Sequence, residues 1–196
     1  HVVPMGVEPS LAEIDRASGK NLPISFVGNF DVPHKIDAAR FLAREIMPLI
    51  LQSAPDRELQ LVGSGILQDI ADLGDLPGVN VVGFVPDLAE QYAESSVFLA
   101  PLRFSAGQQV KVLEAMTAAV AVVTAPAVCS GLGAVPEEHL LVAQSAQEYA
   151  AQTLRLLEDA ELNRRIGRNA RKLVRDRNSW QTAVDRINVI ARKISL

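Results

Sequence analysis

Short apolar runs alternate along this chain with longer stretches whose apolar residues recur at helical spacing. The runs at residues 24–28 (ISFVG), 58–62 (ELQLV), 79–82 (VNVV), 97–100 (VFLA) and 120–124 (VAVVT) each read as a strand, and 140–143 (LLVA) as a sixth. Between the first two, residues 36–51 place Ala39, Leu42, Ala43, Ile46, Met47 and Ile50 on one helical face. The spacing further predicts helices over 66–73, 88–94 (capped by Asp87) and 111–116. From residue 146 onward the pattern is helical only. Its stripes are Ala150, Thr153, Leu154 and Leu157; then Leu162, Ile166, Ala170, Leu173 and Val174; then Trp180, Ala183, Val184, Ile187, Ile190 and Ile194. Strands that are apolar throughout, each followed by a helix, predict an α/β fold. Its centre is a doubly wound parallel sheet, with helices at the carboxyl end of the chain.

Composition narrows what such a fold is for. Of 196 residues, 48% are hydrophobic and 21% charged, which supports a substantial core and excludes a disordered chain. A net charge of −4 gives no global attraction for nucleic acid, and few aromatics argue against base-stacking platforms. The lone Cys129 has no partner for an internal disulfide, and its sequence neighbours include no base to activate it. His1, His34 and His139 lie far apart, without metal-ligand spacing. No apolar run approaches the ~18 residues of a membrane span. The chain opens HVVPMGVEPS, without Met, and reads as a fragment in which residues 1–22 form a linker.

The chemistry concentrates at residues 100–125, APLRFSAGQQVKVLEAMTAAVAVVTA: a strand, a Gly-containing loop, a helix and a second strand. An open α/β sheet binds ligands where a loop leaves a strand's carboxyl end and enters a helix N-terminus. Lys111 and Glu114, three residues apart, share one face of that helix. A cation there suits a phosphate and a carboxylate suits sugar hydroxyls, which together describe a nucleotide sugar. Each residue also has a plain structural reading. Lys111 fits a solvated helix lysine, Glu114 a first-turn carboxylate favoured by the helix dipole, and Arg103 an ion pair with a nearby carboxylate. Glu137, Glu138 and His139 stand in a turn before a strand and form no convincing acid–base pair.

The order PLRFSAGQQVKVLEAM (101–116) resembles the donor-binding motif of retaining glycosyltransferases of the GT-B fold, family 4 (glycosyl transferases group 1). Similar phrases follow in the family's order: ISFVGNFDVPHKIDAARFLAREIMPLI, LQLVGSG, VNVVGFVPDLAEQYAESSVFLAPLR, HLLVA and RRIGRNARKLV with NSW after it. The resemblance implies one Rossmann-like half of a GT-B enzyme. Residues 23–196 would be the nucleotide-sugar donor domain, with the N-terminal acceptor domain absent and the isolated piece close to inactive. It also implies no metal or other cofactor. The donor would be a nucleotide-diphosphate sugar, and the acceptor a saccharide or lipid-linked molecule in polysaccharide biosynthesis. A cytoplasmic location with peripheral membrane attachment of the whole protein belongs to the same expectation.

Residue by residue, the resemblance assigns Glu114 to the nucleotide ribose. Lys111 goes to the diphosphate as the first candidate catalytic residue, with Arg103 behind it. Gly107, Gln108 and Gln109 would bring backbone toward the donor. Gly28, Asn29 and Lys35 form the first donor-facing loop, and Gly65 the second. Two positions depart from the family's pattern. Ala106 stands where the first of two motif glutamates is usual, a trait of a PLR-F-x-A-G subgroup, and Asn29 stands where Arg is common. These departures keep two rivals open. One is a non-catalytic nucleotide- or protein-binding domain of the same fold. The other is a different enzyme on a similar fold, such as an epimerase, although no acid–base set for it is found. A dehydrogenase lacks its glycine fingerprint here.

Overall fold

The computed structural model describes residues 5–17, 21–65, 67–104, 108–178 and 180–194. Its strands are β1 (Ile24–Asn29), β2 (Leu59–Ser64), β3 (Val79–Gly83), β4 (Val97–Ala100), β5 (Ala121–Thr124) and β6 (Leu141–Val142). They form one parallel sheet in the order β3-β2-β1-β4-β5-β6. The expected α/β Rossmann-like fold is therefore present. Central β4 and β5 are buried at every position, as a sheet covered on both faces requires, whereas edge strand β3 alternates and exposes Val82. Apolar side chains such as Phe26, Leu61 and Val123 are essentially inaccessible. Each contributes roughly 1.5–3 kcal/mol by leaving water.

The helices are α1 (Pro33–Phe41), α2 (Met47–Ser53), α3 (Leu88–Ala93), α4 (Val110–Thr117), α5 (Pro126–Leu132), α6 (Ala146–Glu158), α7 (Ala160–Arg177) and α8 (Trp180–Ile194). The stretch expected as one helix over 36–51 begins earlier, at Pro33, a residue pre-organised for a first helical turn. It runs through a widened turn, Leu42–Ile46, in which the Met47 N–H reaches back to Leu42 O. Pro48 follows directly and has no N–H to give to the preceding turn, which accounts for the local change of winding. The helix expected over 66–73 is replaced by two short 3-10 turns, Leu67–Asp69 and Ala71–Asp75. Asp69, Asp72, Gly74 and Asp75 favour turns, and Ile70 and Leu73 anchor the segment in the core. Helix α5 was not foreseen. Pro126 opens it, and Gly133 at φ 61° closes it.

Asp87 caps α3 through Ala89 N, as expected, and Ser145 with Glu148 forms a reciprocal cap on α6. Asp159 caps α7. Midway along α7, a Cβ on Gly167 would lie 2.2 Å from Ala119 O, so glycine alone lets this helix sit on the α4–β5 turn. The start of the chain is tied to the far end. Val7 N donates to Asn178 O (3.1 Å), Asn178 Nδ2 to Met5 O (3.1 Å), and the Trp180 ring packs so close to Gly6 that a Cβ there would come within 2.5 Å of it. Val7 and Leu11 enter the core from this segment.

Candidate functional site

Strand order reverses between β1 and β4, so the loops leaving their carboxyl ends diverge and open a crevice. Helices α1 and α4 start from those two loops. Along α4, Val112, Leu113, Ala115, Met116 and Thr117 are buried, which leaves Lys111 and Glu114 on the face toward the crevice. Both Glu114 oxygens accept from Lys111 Nζ, at 3.0 and 2.9 Å. Oε2 also accepts from the Tyr92 hydroxyl at 2.9 Å. Tyr92 belongs to α3 and is wholly buried. Burial, and then the charge and hydrogen bond of Glu114, hold its pKa well above the ordinary tyrosine value, so it remains a donor. The Glu114 side chain is 16% exposed: reachable, yet fixed from below by a donor that cannot leave.

Lys35, in the first turn of α1, approaches the same place from the other loop. Its Nζ donates to Gln109 Oε1 at 3.2 Å, which bridges the N-termini of α1 and α4. Burial first, and the Lys111 charge second, lower its pKa to about 8. The Lys35 and Lys111 ammonium groups thus come together at paired helix N-termini, with Lys111 also bonded to the Glu114 carboxylate. Such an arrangement favours an anion between them.

The remaining expected residues divide. Gly28 lies against the Lys35 stem, where a Cβ would meet Lys35 Cβ at 3.5 Å. Asn29 turns its Oδ1 back to accept from Asp31 N at 3.0 Å, shaping the loop into α1. Gly65 has φ 112°, and a Cβ there would come within 2.5 Å of Asp31 N, so it lets the β2 loop close on the β1 loop. Gln108 Oε1 accepts from Met5 N at 3.1 Å. Gly107 and Ala106 lie outside the described residues.

Arg103 is engaged elsewhere. Its Nη2 and Nε meet Asp37 Oδ1 and Oδ2 at 2.6 and 3.2 Å, and its guanidinium stacks 4.5 Å from the Phe41 ring centroid. This pins the β4–α4 loop to α1. Tyr92 escaped sequence reasoning because it reads as one more apolar residue of a short helix. Only the fold brings its hydroxyl to a carboxylate 22 positions away. Away from the crevice, Glu137 pairs with Arg155, His139 Nδ1 accepts from Val135 N, and Cys129 is buried, which raises its thiol pKa.

Among the described residues, no group of His, Cys, Asp and Glu is arranged to hold a metal ion, and no helix is long and apolar enough to cross a membrane. The fold is similar to part of sucrose-phosphate synthase from Thermosynechococcus elongatus (TM-score 0.78, 22% identity), with 99% of this chain matching 52% of that one. Anabaena HepE, solved with UDP and glucose, is similar over 100% of this chain and 56% of its own (TM-score 0.73, 20% identity). A Klebsiella pneumoniae protein described as an uncharacterized 44.6 kDa protein in cps region is 21% identical over 83% of this chain and 44% of its own. The chain thus spans about half the length of these relatives. Residues 22–159 match the family model Glycosyl transferases group 1, and the chain belongs to that family.

Proposed function

We propose that this chain is the donor-binding domain of a GT-B, family 4 glycosyltransferase. The whole enzyme moves a sugar, with retention, from a nucleotide-diphosphate sugar to a saccharide or lipid-linked acceptor. The observation that carries this reading is Glu114, fixed between the Tyr92 hydroxyl and Lys111 Nζ at the crevice mouth. A carboxylate so held accepts two ribose hydroxyl hydrogen bonds with little ordering cost. Lys111 and Lys35, with the two helix N-termini, are placed to take the diphosphate, and charge growing on the departing diphosphate is stabilised there. Arg103 acts through the loop it clamps. Family membership and the UDP and glucose bound by HepE support the substrate class. Residues 1–22 are the interdomain linker and 23–196 the donor domain, and the acceptor is bound by a second, N-terminal domain. The whole protein works at the cytoplasmic side, attached peripherally to the membrane.

Calorimetric titration with UDP, GDP, ADP and their sugar conjugates tests the reading. One nucleotide binds, and Glu114→Ala weakens it by about tenfold or more. A well-folded chain, alone and within the full-length protein, that binds none of these overturns it. One departure favours a second reading, a nucleotide-binding domain without turnover: Asn29, which supplies no positive charge, spends its side chain on the Asp31 turn. Nucleotide-sugar binding without transfer by the full-length protein selects that reading.

A further inference from the structure

Opposite the crevice, at the amino edge of the sheet, lies a cleft of about 730 Å³. Leu22, Ser96 and Ala119, which precede β1, β4 and β5, form its floor. Among its described lining residues the charged ones are Arg16, Arg57, Arg164, Arg168 and Glu158, in a chain whose net charge is −4. Arg16 is the deepest of them. Its Nη1 donates to Ala119 O at 2.9 Å and its Nη2 to Ser95 O. Its Nε is buried and has no partner among the described residues. Burial, then the charge of Arg171, push its pKa below the ordinary arginine value. Arg164 and Arg168 share one carboxylate, Glu161, at 3.1 and 3.2 Å, so even the rim carries excess positive charge.

A half-buried guanidinium whose acceptors among the described residues are all neutral, with an orphaned N–H and a cationic neighbour, is unfavourable without a counter-ion. Guanidinium groups match phosphate oxygens in pairs, and the cleft is the size of a small-ligand site. We propose that this cleft is a second ligand site, separate from the crevice, that takes a phosphate-bearing anion. Arg16 sits at its base, and Arg57, Arg164 and Arg168 close over the phosphate. The anion supplies the charge that Arg16 lacks and ties the Pro9–Glu13 segment leading to Arg16 to the edge of β4 and β5. The proposal is independent of the donor reading, since no residue is shared.

Backbone amide shifts of this chain, followed during titration with inorganic pyrophosphate at constant ionic strength, test it. The expected result is saturable movement at Leu22, Ala119 and Asn163, weakened by on the order of tenfold or more in Arg57→Gln/Arg164→Gln. These two substitutions leave the Arg16 bridge intact, whereas Arg16→Gln removes a packing element as well. Flotation with phosphatidylglycerol vesicles, against phosphatidylcholine controls, separates the sources of phosphate. Flotation that pyrophosphate competes away and the double variant loses assigns a lipid headgroup. Pyrophosphate binding without flotation assigns a soluble phosphate compound. Shifts confined to the crevice around Lys111, or equal affinity in the double variant, overturn the proposal.

Discussion

The Tyr92 hydroxyl donates a 2.9 Å hydrogen bond to Glu114 Oε2 from within the core, so a residue with no exposure fixes one at the crevice mouth. With Lys111 bonded to both oxygens, the carboxylate is held from two sides while its side chain stays 16% exposed. Tyr92→Phe keeps the packed ring and removes only the hydroxyl. We expect the fold to survive, with thermal unfolding shifted by a few degrees at most. Nucleotide affinity falls by about three- to tenfold, because Glu114 must then be ordered by the ligand. Calorimetry beside a melting curve checks it. Unchanged affinity would leave Tyr92 as packing alone.

Lys35 makes the crevice sensitive to pH. Its pKa of about 8 lies below the unfolded value near 10.5, since burial and Lys111 disfavour the charged form. The unfolded chain therefore binds more protons between those values, and the Lys35 contribution to stability rises with pH from about 8 upward. Diphosphate binding has the opposite sign, because it needs the ammonium. Affinity for a nucleoside diphosphate should fall as pH rises through about 8. Lys35→Arg should flatten that profile, and Lys35→Met should lower affinity below pH 8 and remove the step, so that the wild-type profile falls to meet it at higher pH. A profile through pH 8 that is the same in wild type and Lys35→Met would exclude this group as its source.

Arg103 and Asp37 form a two-pronged pair at the loop's outer side, with the guanidinium over Phe41. Both side chains are partly exposed, at 40% and 30%, so solvent screening keeps the pair's worth to about 1 kcal/mol. Arg103→Ala should therefore cost roughly that much stability and change nucleotide affinity by about twofold. Lys111→Ala should reduce affinity on the order of tenfold or more. Equal losses for the two variants would place Arg103 on the ligand itself.

These contrasts mark where sequence reading ends. Strands such as VFLA and VAVVT carry their own evidence, since an apolar run bounded by turns has one economical fate in an α/β chain. Lys111 and Glu114 were legible together because helical spacing alone puts them on one face. Lys35 and Gln109, 74 positions apart, or Arg103 and Asp37, 66 apart, meet only because β1 and β4 are neighbours. Local pattern also misjudged residues 66–73, where aspartates and a glycine outweigh apolar spacing.

Two glycines flank the crevice for different reasons, and substitution separates them. At Gly65, φ is 112° and an added Cβ would lie 2.5 Å from Asp31 N and 2.7 Å from Asn29 Oδ1. Backbone on one side and the Asx turn on the other leave nothing flexible to yield. Gly65→Ala should cost about 1–3 kcal/mol and displace the β1–α1 loop that carries Lys35, so nucleotide affinity falls with stability. At Gly28 the nearest neighbours of a Cβ are Lys35 Cβ and the Phe26 ring, all at 3.5 Å, which is ordinary contact. Gly28→Ala should therefore stay within about 1 kcal/mol of wild type. Denaturant unfolding of both variants decides the matter: comparable losses would mean that the close approach of Gly65 to Asp31 does not shape this loop.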